Sequence, residues 1–335
     1  MRATRAGLLA LAVVACSHDR SAESPRADLA PSTPAEKLLA MLPPNAQVVI
    51  ELDLARLRAN AVVGSVVSQA LAVHAADDQP APDRKGLALS VPASPLAGAD
   101  HVVLAAYGVG TAQAATVTLL AAPHDLEGTT RLADGFYALG PPEWIEQVQQ
   151  RVTLASTGDA KFAIRAAPEL LALRDHAMPA GAPGASLRIT ARLSFDARVA
   201  LARQTGLDSA PAQLSAWGDV VDDLALIIDC DAADPGNAAK SGKPSDAPKR
   251  LEATLRGALA GVADQPAIKL LGLPSSLSNA RFVTHGSWVR AIVAVGPSHL
   301  ARVVERAGSL LKLAAPADPA APSEPPAPTH GAHAS

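Results

Sequence analysis

Aromatic residues and cysteines are both scarce in this chain of 335 residues, which has 3% aromatics and two cysteines. A hydrophobic core here must therefore consist mainly of Ala, Val, Leu and Ile. Two cysteines, Cys16 and Cys230, exclude a fold held by several disulfides. Cys230 follows the apolar run 224–228 and Asp229, so we expect a buried structural thiol and not a nucleophile.

A large excess of charge is also lacking, since the formal net charge is -3 at pH 7. So small a charge gives no strong attraction to nucleic acid or to anionic lipid headgroups. Nucleic-acid binding is therefore not expected. The length allows one large domain or two small ones, each with its own core.

The short motifs of several enzyme classes are absent from the sequence. It contains no Walker phosphate loop, no Gly-x-Ser-x-Gly turn and no His-Glu-x-x-His zinc helix. Gly108-Val109-Gly110 lacks the third glycine of a dinucleotide loop and precedes a strand-like run, so it predicts a hairpin turn. We therefore predict no catalytic, cofactor or metal site.

The first sixteen residues have the layout of a secretory signal. Arg2 and Arg5 precede an uncharged run, 6–15, which ends in small residues before Cys16. At about 1.5 Å per helical residue this run is too short to span a hydrocarbon core of about 30 Å. We therefore predict a cleaved signal peptide over residues 1–15.

The segment Val13-Val14-Ala15-Cys16 resembles the lipobox of bacterial lipoproteins. In that family the cysteine receives a diacylglycerol and the signal is cut before it. The resemblance implies lipid attachment at Cys16, and two or more acyl chains anchor a protein stably to a membrane. Ser17, where inner-membrane lipoproteins often have Asp, implies sorting to the outer membrane. A soluble exported form is the alternative.

Two polar segments flank the body. Residues 16–34 form a predicted disordered tether, and residues 314–335 form a predicted disordered tail rich in Pro and Ala. Neither has the large apolar side chains that would offset the entropy lost on ordering. His330 and His333 in the tail are expected to be solvated. The body between them is divided into two predicted modules, 35–178 and 179–313.

The first module begins with a predicted capping box, Thr33 to Glu36, that opens a helix through Met41. A strand is predicted next, followed by one helix capped by Asp53. Two apolar runs then predict a hairpin around Gly108 and Gly110. The predicted segments are a strand at 47–52, a helix carrying Leu54, Leu57, Val62 and Val66, and hairpin strands at 101–107 and 114–122.

The second module repeats part of this order, with a predicted strand at 187–193 and a helix capped by Ser194. Residues 224–230 and 251–259 predict a hairpin, although leucines four apart in the latter also fit a helix.

Both modules contain a strand, a Gly-Pro pair and a helix, at Gly140-Pro141 and at Gly296-Pro297. These patterns predict an α+β fold of two similar modules, each an antiparallel sheet with helices mainly on one face. A single mixed domain is the alternative.

Candidate polar and aromatic residues are few. Asp219, Asp222, Asp223, Asp229 and Asp231 bracket one strand, match no calcium loop, and are expected to be solvated strand ends. Single histidines at 74, 101, 124, 176 and 299 are expected to be structural or at the surface. Trp144, Trp217 and Trp288 are expected to be packing anchors, with a ligand pocket as the alternative.

These features predict a non-catalytic, lipid-anchored protein of the bacterial outer membrane with a binding or accessory role. Its partners would be the membrane, through the N-terminal lipid, and an envelope protein or small ligand. One alternative is an envelope hydrolase in which His285, Ser287 and an Asp from 219–223 converge in three dimensions. Another is a structural spacer between envelope layers.

Overall fold

A computed structural model describes residues 33–76, 93–156, 168–182, 184–205, 210–232 and 246–314. The predicted signal peptide, Cys16, nearly all of the tether and the tail from residue 315 onward lie outside these residues. None of the helices in the described ranges is both long enough and apolar enough to cross a membrane.

One antiparallel sheet of ten strands forms the centre of the described structure, in the order β4-β5-β3-β2-β1-β6-β7-β8-β10-β9. The predicted α+β class with an antiparallel sheet is thereby confirmed. The strands are β1 (Val48–Asp53), β2 (His101–Tyr107), β3 (Ala115–Ala121), β4 (Thr130–Ala133), β5 (Phe136–Leu139), β6 (Leu187–Arg192), β7 (Gln213–Val220), β8 (Leu224–Asp231), β9 (Arg281–His285) and β10 (Trp288–Val295).

The two halves of the chain use the same strand order. Outward from the central β1–β6 pair, the first half runs β1-β2-β3-β5-β4 and the second half runs β6-β7-β8-β10-β9. In both halves the fifth strand therefore lies between the third and the fourth. The halves do not form separate sheets, because β1 and β6 pair directly, with Val49 opposite Thr190. A common origin of the halves remains a prediction, and the repeated order is what such an origin would produce.

The described residues form eleven helices, and those that pack on the sheet lie on both of its faces, not mainly on one. The eleven helices are α1 (Pro34–Met41), α2 (Leu54–Ala59), α3 (Gly64–Ala76), α4 (Ala93–Gly98), α5 (Pro142–Ser156), α6 (Pro168–Arg174), α7 (Phe195–Thr205), α8 (Ala247–Ala263), α9 (Pro266–Leu271), α10 (Pro274–Ser278) and α11 (Pro297–Ala314). Both predicted Gly-Pro pairs lead from a strand into a helix, at α5 and α11.

We call the face that carries Val49 and Thr190 the front face, and the face that carries Leu52 and Cys230 the back face. Side chains alternate along each strand, so the pairing register assigns every strand residue to one of the two. Helices α1, α5 and α6 cover the front face, whereas α2, α4, α8 and α10 cover the back.

The predicted helix after Asp53 is divided in two at Asn60. Asp53 accepts a hydrogen bond from the Arg56 amide at 2.8 Å, so the predicted cap is confirmed. Asn60 Oδ1 accepts from the amides of Val62 and Val63 at 2.8 and 3.0 Å. The Asn60 side chain thus takes backbone amides that a continuous helix would bond to its own carbonyls. The first helix is therefore interrupted, and a new helix begins after Asn60.

The predicted strand at 251–259 is wrong, since these residues lie within α8. Pro248 lies in the first turn of α8, where proline is favourable. The ion pair between Glu252 and Arg256, four residues apart and at 2.7 Å, also stabilises the helix. Strand β8 instead pairs antiparallel with both β7 and β10, and β7 has no counterpart among the predicted strands. Leu214, Ala216 and Gly218 alternate there with Ser215 and Trp217, a two-residue period typical of a strand.

The front face differs between the halves. In the first half it is apolar apart from Glu51 on β1, with Leu38, Val103, Leu119 and Val148 fully buried. In the second half Thr190, Ser215 and Asp229, paired in one cross-strand row, are buried polar side chains. Buried polar groups require partners, so this half of the face is where a site is expected.

Candidate functional site

Residues 174–178 begin at the last residue of α6 and lie across the front face of the second half. Arg174 binds Glu51 on β1, and Asp175 forms an ion pair with Arg188 on β6. His176 binds Asp229 on β8 at 2.8 Å, and the Ala177 amide donates to Ser215 Oγ on β7 at 3.1 Å. We call these residues the 174–178 segment. Three consecutive side chains and one backbone amide thus hold this segment to strands β1, β6, β7 and β8.

The contact between Arg174 and Glu51 is bidentate, at 2.6 and 2.7 Å. Glu51 is 6% exposed, so both charges lie largely out of water. Burial alone would lower the pKa of Arg174, but the neighbouring Glu51 carboxylate raises it above its usual value. The guanidinium therefore stays charged, and its planar fork fixes the start of the segment.

Asp229 lies at the centre of the site and is 1% exposed. It accepts two hydrogen bonds from Arg290, both at 2.7 Å, and a third from His176 Nδ1 at 2.8 Å. Burial alone would raise the pKa of this carboxyl, but the donors from Arg290 and His176 hold it below its usual value. Asp229 is therefore an ionised acceptor.

An ionised Asp229 determines the form of His176. Because the carboxylate can only accept, the ring nitrogen Nδ1 must carry a proton, which leaves Nε2 available for another group. The imidazole stacks on the Trp288 indole, with ring centroids 3.9 Å apart and an interplanar angle of 24°. The hydrogen bond to Asp229 thus also fixes the ring on which Trp288 stacks.

A cavity of 370 Å³ lies beside the 174–178 segment. Helix α6 contributes its apolar wall, and the ends of β6, β7 and β10 contribute an exposed arginine, an amide and an indole. The lining residues are Ala172, Leu173, His176, Arg192, Gln213 and Trp288. The last three belong to one cross-strand row, together with Asp231. An apolar wall with a few convergent polar groups is the usual composition of a ligand site.

The expectation of solvated aspartates is wrong for Asp219 and Asp229. Asp219 is 5% exposed and binds Arg56 through two contacts, at 2.8 and 2.6 Å, and Ser186 at 2.7 Å. Burial alone would raise its pKa, but these donors hold the pKa below its usual value. The partners are remote in sequence, so spacing alone did not reveal them. Asp222 and Asp223 are exposed as expected.

His285, Ser287 and the Asp219 region are not brought together. His285 pairs with Trp288, in the row that contains Gln213. Asp219 lies six residues further along β7, which is about 20 Å at about 3.4 Å per residue. The predicted alternative of a hydrolase built from these residues therefore lacks the geometry it needs.

Two of the three tryptophans are packing anchors, as expected. Trp144 packs on Tyr107 with centroids 4.1 Å apart, and buried Trp217 donates to the Gly184 carbonyl at 2.9 Å. Trp288 instead lines the cavity. Cys230 is 0% exposed on the back face, which confirms the buried thiol. Burial, and then the charge of Asp229, raises its pKa to about 12.

Spacing along the chain does not pair His176 with a partner, because Asp229 lies 53 residues away. One signal was present: Asp229 and Asp231 alternate with Cys230 in a strand, which places both carboxylates on one face. The three successive polar residues Arg174 to His176, at the end of an apolar helix, are a second indication of a polar site. Among the residues that the structure describes, no group of three His, Cys, Asp or Glu side chains is placed to hold a metal ion.

Comparison with known proteins gives little further information. No family model matches the chain, and no curated protein matches it. A solved structure, crystal form I of TP0453, is similar with a TM-score of 0.36 and 8% sequence identity. The similarity covers 80% of this chain and 96% of that chain. We draw no function from this similarity.

Proposed function

We propose that this chain is an exported, lipid-anchored protein of the bacterial outer membrane whose folded body binds a ligand or partner without catalysing a reaction. The resemblance of Val13-Val14-Ala15-Cys16 to a lipobox supports the anchor, and Ser17 supports the outer membrane. The anchor and the binding role rest on different residues and are tested separately.

The binding role rests on the cavity beside the 174–178 segment. Its walls are preorganised, because the ion pairs of Arg174 and Asp175 and the hydrogen bond of His176 fix the segment before any ligand arrives. Preorganised walls reduce the entropy lost on binding. A cavity of 370 Å³ is also within the size range of small-molecule sites, about 300–1,000 Å³.

The chemistry around the cavity favours binding over catalysis. The Asp229 carboxylate accepts three hydrogen bonds and has a lowered pKa, so it is a poor proton acceptor. The described residues that line the cavity include no Ser, Thr or Cys to serve as a nucleophile.

The binding role is tested by a thermal-shift screen of small molecules against the mature full-length protein. We expect ligands that raise the Tm of the natural protein and raise it less in Gln213→Ala, because a ligand stabilises only the state that binds it. The exposed substitution Asp222→Asn is the control and should leave the shift unchanged. Shifts that are identical in Gln213→Ala would contradict binding at this cavity.

A hydrolase remains a second candidate because of one observation, the contact between His176 and the buried Asp229. A carboxylate that orients an imidazole, leaving Nε2 available, is an arrangement used for general base catalysis. Arg290 opposes this role, since it neutralises the carboxylate. Turnover of ester, amide or phosphoester substrates that is lost in His176→Asn would establish the hydrolase and overturn the binding proposal.

The anchor is tested by labelling cells with a radioactive fatty acid. We expect label on the natural protein and none on Cys16→Ala, since the thiol is the proposed point of attachment. Cys230→Ala is the matched control and should keep its label. Label that persists in Cys16→Ala would remove the anchor from the proposal and leave the soluble exported form.

A further inference from the structure

His176 presents a hydrogen-bond acceptor at the wall of the cavity. Its Nδ1 donates to Asp229, and Arg290 already balances the charge of that carboxylate through two hydrogen bonds. A neutral imidazole therefore satisfies the contact, and its Nε2 then has a lone pair and no proton. Among the described residues nothing donates to Nε2, and the His176 side chain is 38% exposed. A ligand with an O–H or N–H donor thus meets an acceptor whose orientation is already fixed.

Gln213 supplies a second polar group, one that has no charge. It lies two residues from Ser215 along β7 and on the same face, so its Cα is about 7 Å from the strand position that binds the 174–178 segment. Its side-chain amide has no hydrogen-bond partner among the described residues, and an amide can both donate and accept. Gln213 can therefore contact a second polar group of a ligand that is bound at His176.

The charged side chains near the cavity do not select an ion. Arg192 lines the cavity and Asp231 lies in the same cross-strand row, and both have other interactions. Their charges are opposite, and the charge of Asp229 is compensated by Arg290, so neither an anion nor a cation gains net attraction. Moving an ion from water to an apolar wall also costs free energy. A neutral ligand is therefore favoured, and it needs no contact with Arg192 or Asp231.

The remaining walls are apolar and partly flat. Leu173 and Ala172 of α6 form one side, and the Trp288 indole, held by its stack on His176, forms another. Aromatic rings pack well on an indole because offset stacking or edge-to-face contact adds to the burial of apolar area. The body of the ligand is therefore expected to be an aromatic ring.

We propose that this cavity binds a small neutral phenol. The hydroxyl donates to His176 Nε2, and the ring lies against Leu173 and the Trp288 indole. A phenol combines the donor that Nε2 requires with a flat apolar body, whereas an aliphatic alcohol lacks the flat ring and a carboxylate has no proton to donate. This inference rests on the binding role proposed above and adds to it the chemical class of the ligand.

The test is ¹⁹F NMR of 4-fluorophenol with the mature full-length protein in detergent at pH 8, with the detergent alone as the blank. For a probe of this size we expect a Kd of about 1 mM. 4-Fluoroanisole has the same ring without the donor and should bind about fivefold more weakly. The anion 4-fluorobenzoate should bind about tenfold more weakly. Equal affinity for the phenol and the anisole would overturn the proposed hydrogen bond.

Two variants locate the probe. His176→Phe keeps an aromatic ring beside Trp288 but removes Nε2, so it should bind the phenol and the anisole equally. Trp288→Leu should weaken both probes by about threefold and keep the preference for the phenol, because it removes only the flat wall. His124→Phe changes an exposed histidine of the first half and is the matched control; it should bind like the natural protein.

The outcomes separate the two proposals. A preference for the phenol that persists in His176→Phe would overturn this inference. The comparison of phenol with anisole on the natural protein can overturn it even if that variant does not fold. Tighter binding of the benzoate, weakened by Trp288→Leu, would overturn the ligand class but support the binding role. Absence of binding by all three probes would overturn this inference, and it would overturn the binding role as well if the thermal-shift screen finds no ligand.

Discussion

The front face of the sheet is built in two different ways in two halves that share one strand order. In the first half, α1 and α5 bury apolar side chains such as Leu119 and Val148. In the second half, the short 174–178 segment lies on ion pairs centred on Asp229. Strand order alone therefore does not determine what a face can bind. The side chains determine it, and among the described residues of this face the polar half has the composition of a site.

The comparison also predicts two kinds of stability. An apolar core depends on filled volume, and its contribution changes little with pH. A buried ion pair depends on both partners, and it loses its effect when one of them is neutralised. Destabilising substitutions in the two halves should therefore differ both in the size of the stability loss and in how that loss depends on pH.

The largest loss of stability is expected for Leu119→Ala in the first half. Leu119 is 0% exposed, and truncation of a fully buried leucine leaves a cavity that costs about 4 kcal/mol. Urea unfolding of this variant measures the loss. Leu154, which is 47% exposed, supplies the control: Leu154→Ala should change the free energy of unfolding by less than about 0.5 kcal/mol. Equal losses would show that the apolar half is not a packed core.

A somewhat smaller loss is expected for Asp229→Asn in the second half. Removing one partner of a buried ion pair costs about 3–5 kcal/mol. Because Arg290 is partly exposed, water can solvate its charge, and we expect a loss at the lower end, about 3 kcal/mol. Urea unfolding at pH 7 measures it. Asp222→Asn, at an exposed position, is the control and should have almost no effect. A loss below about 1 kcal/mol would mean that the ion pair does not hold the segment.

The same variant should change the response to acid. The pKa of Asp229 is lower in the folded than in the unfolded protein, so its contribution is present above the unfolded value, about 3.9. It is lost as the pH falls through the lowered folded value. Between pH 6 and pH 3 the natural protein and Leu119→Ala should therefore lose more stability than Asp229→Asn. Parallel losses in all three would assign the acid sensitivity to other carboxylates, with Asp219 the first to examine.

An intermediate effect is expected where the halves meet at the β2–β3 turn. Gly110 has φ +82°, and an added Cβ would lie 3.1 Å from Ala197 Cα on α7. Gly110→Ala should cost about 2 kcal/mol, because strain at positive φ adds to the contact with the second half. Gly128 has φ +72° and open space, so Gly128→Ala should cost about 1 kcal/mol. Thermal unfolding compares the two. Equal costs would mean that α7 yields to the added methyl group.

Local patterns were sufficient to predict much of the fold. The capping box at Thr33, the Asp53 cap and the hairpin glycines depend on neighbours within a few residues, and the structure has them all. The split at Asn60 was missed because its side chain takes helix donors that spacing does not reveal.

The candidate site could not be predicted in the same way. Arg56 and Asp219 are 163 residues apart, and His176 and Asp229 are 53 apart, so no local pattern pairs them. The alternation around Cys230 places Asp229 and Asp231 on one face of the strand, but it does not indicate that an arginine meets Asp229 there. Pairing across the sheet requires the register, which the sequence did not supply.

The smallest effect is expected at the boundary between the two kinds of face. Thr190 pairs with Val49 on one side and Ser215 on the other, and it is 1% exposed. Its Oγ1 has no hydrogen-bond partner among the described residues, whereas Ser215 accepts from the Ala177 amide. An unpaired buried hydroxyl costs free energy that a methyl group of the same shape does not.

Thr190→Val should therefore raise the free energy of unfolding by about 0.5–1 kcal/mol, because it extends the apolar half by one strand. Ser215→Ala, one strand further along the same row, should instead lower it by about 1 kcal/mol, since the Ala177 amide loses its acceptor. Urea unfolding of the two variants measures these opposite signs. A loss of stability in Thr190→Val would show that its hydroxyl has a partner, and the polar half of the face would then begin at β6 and not at β7.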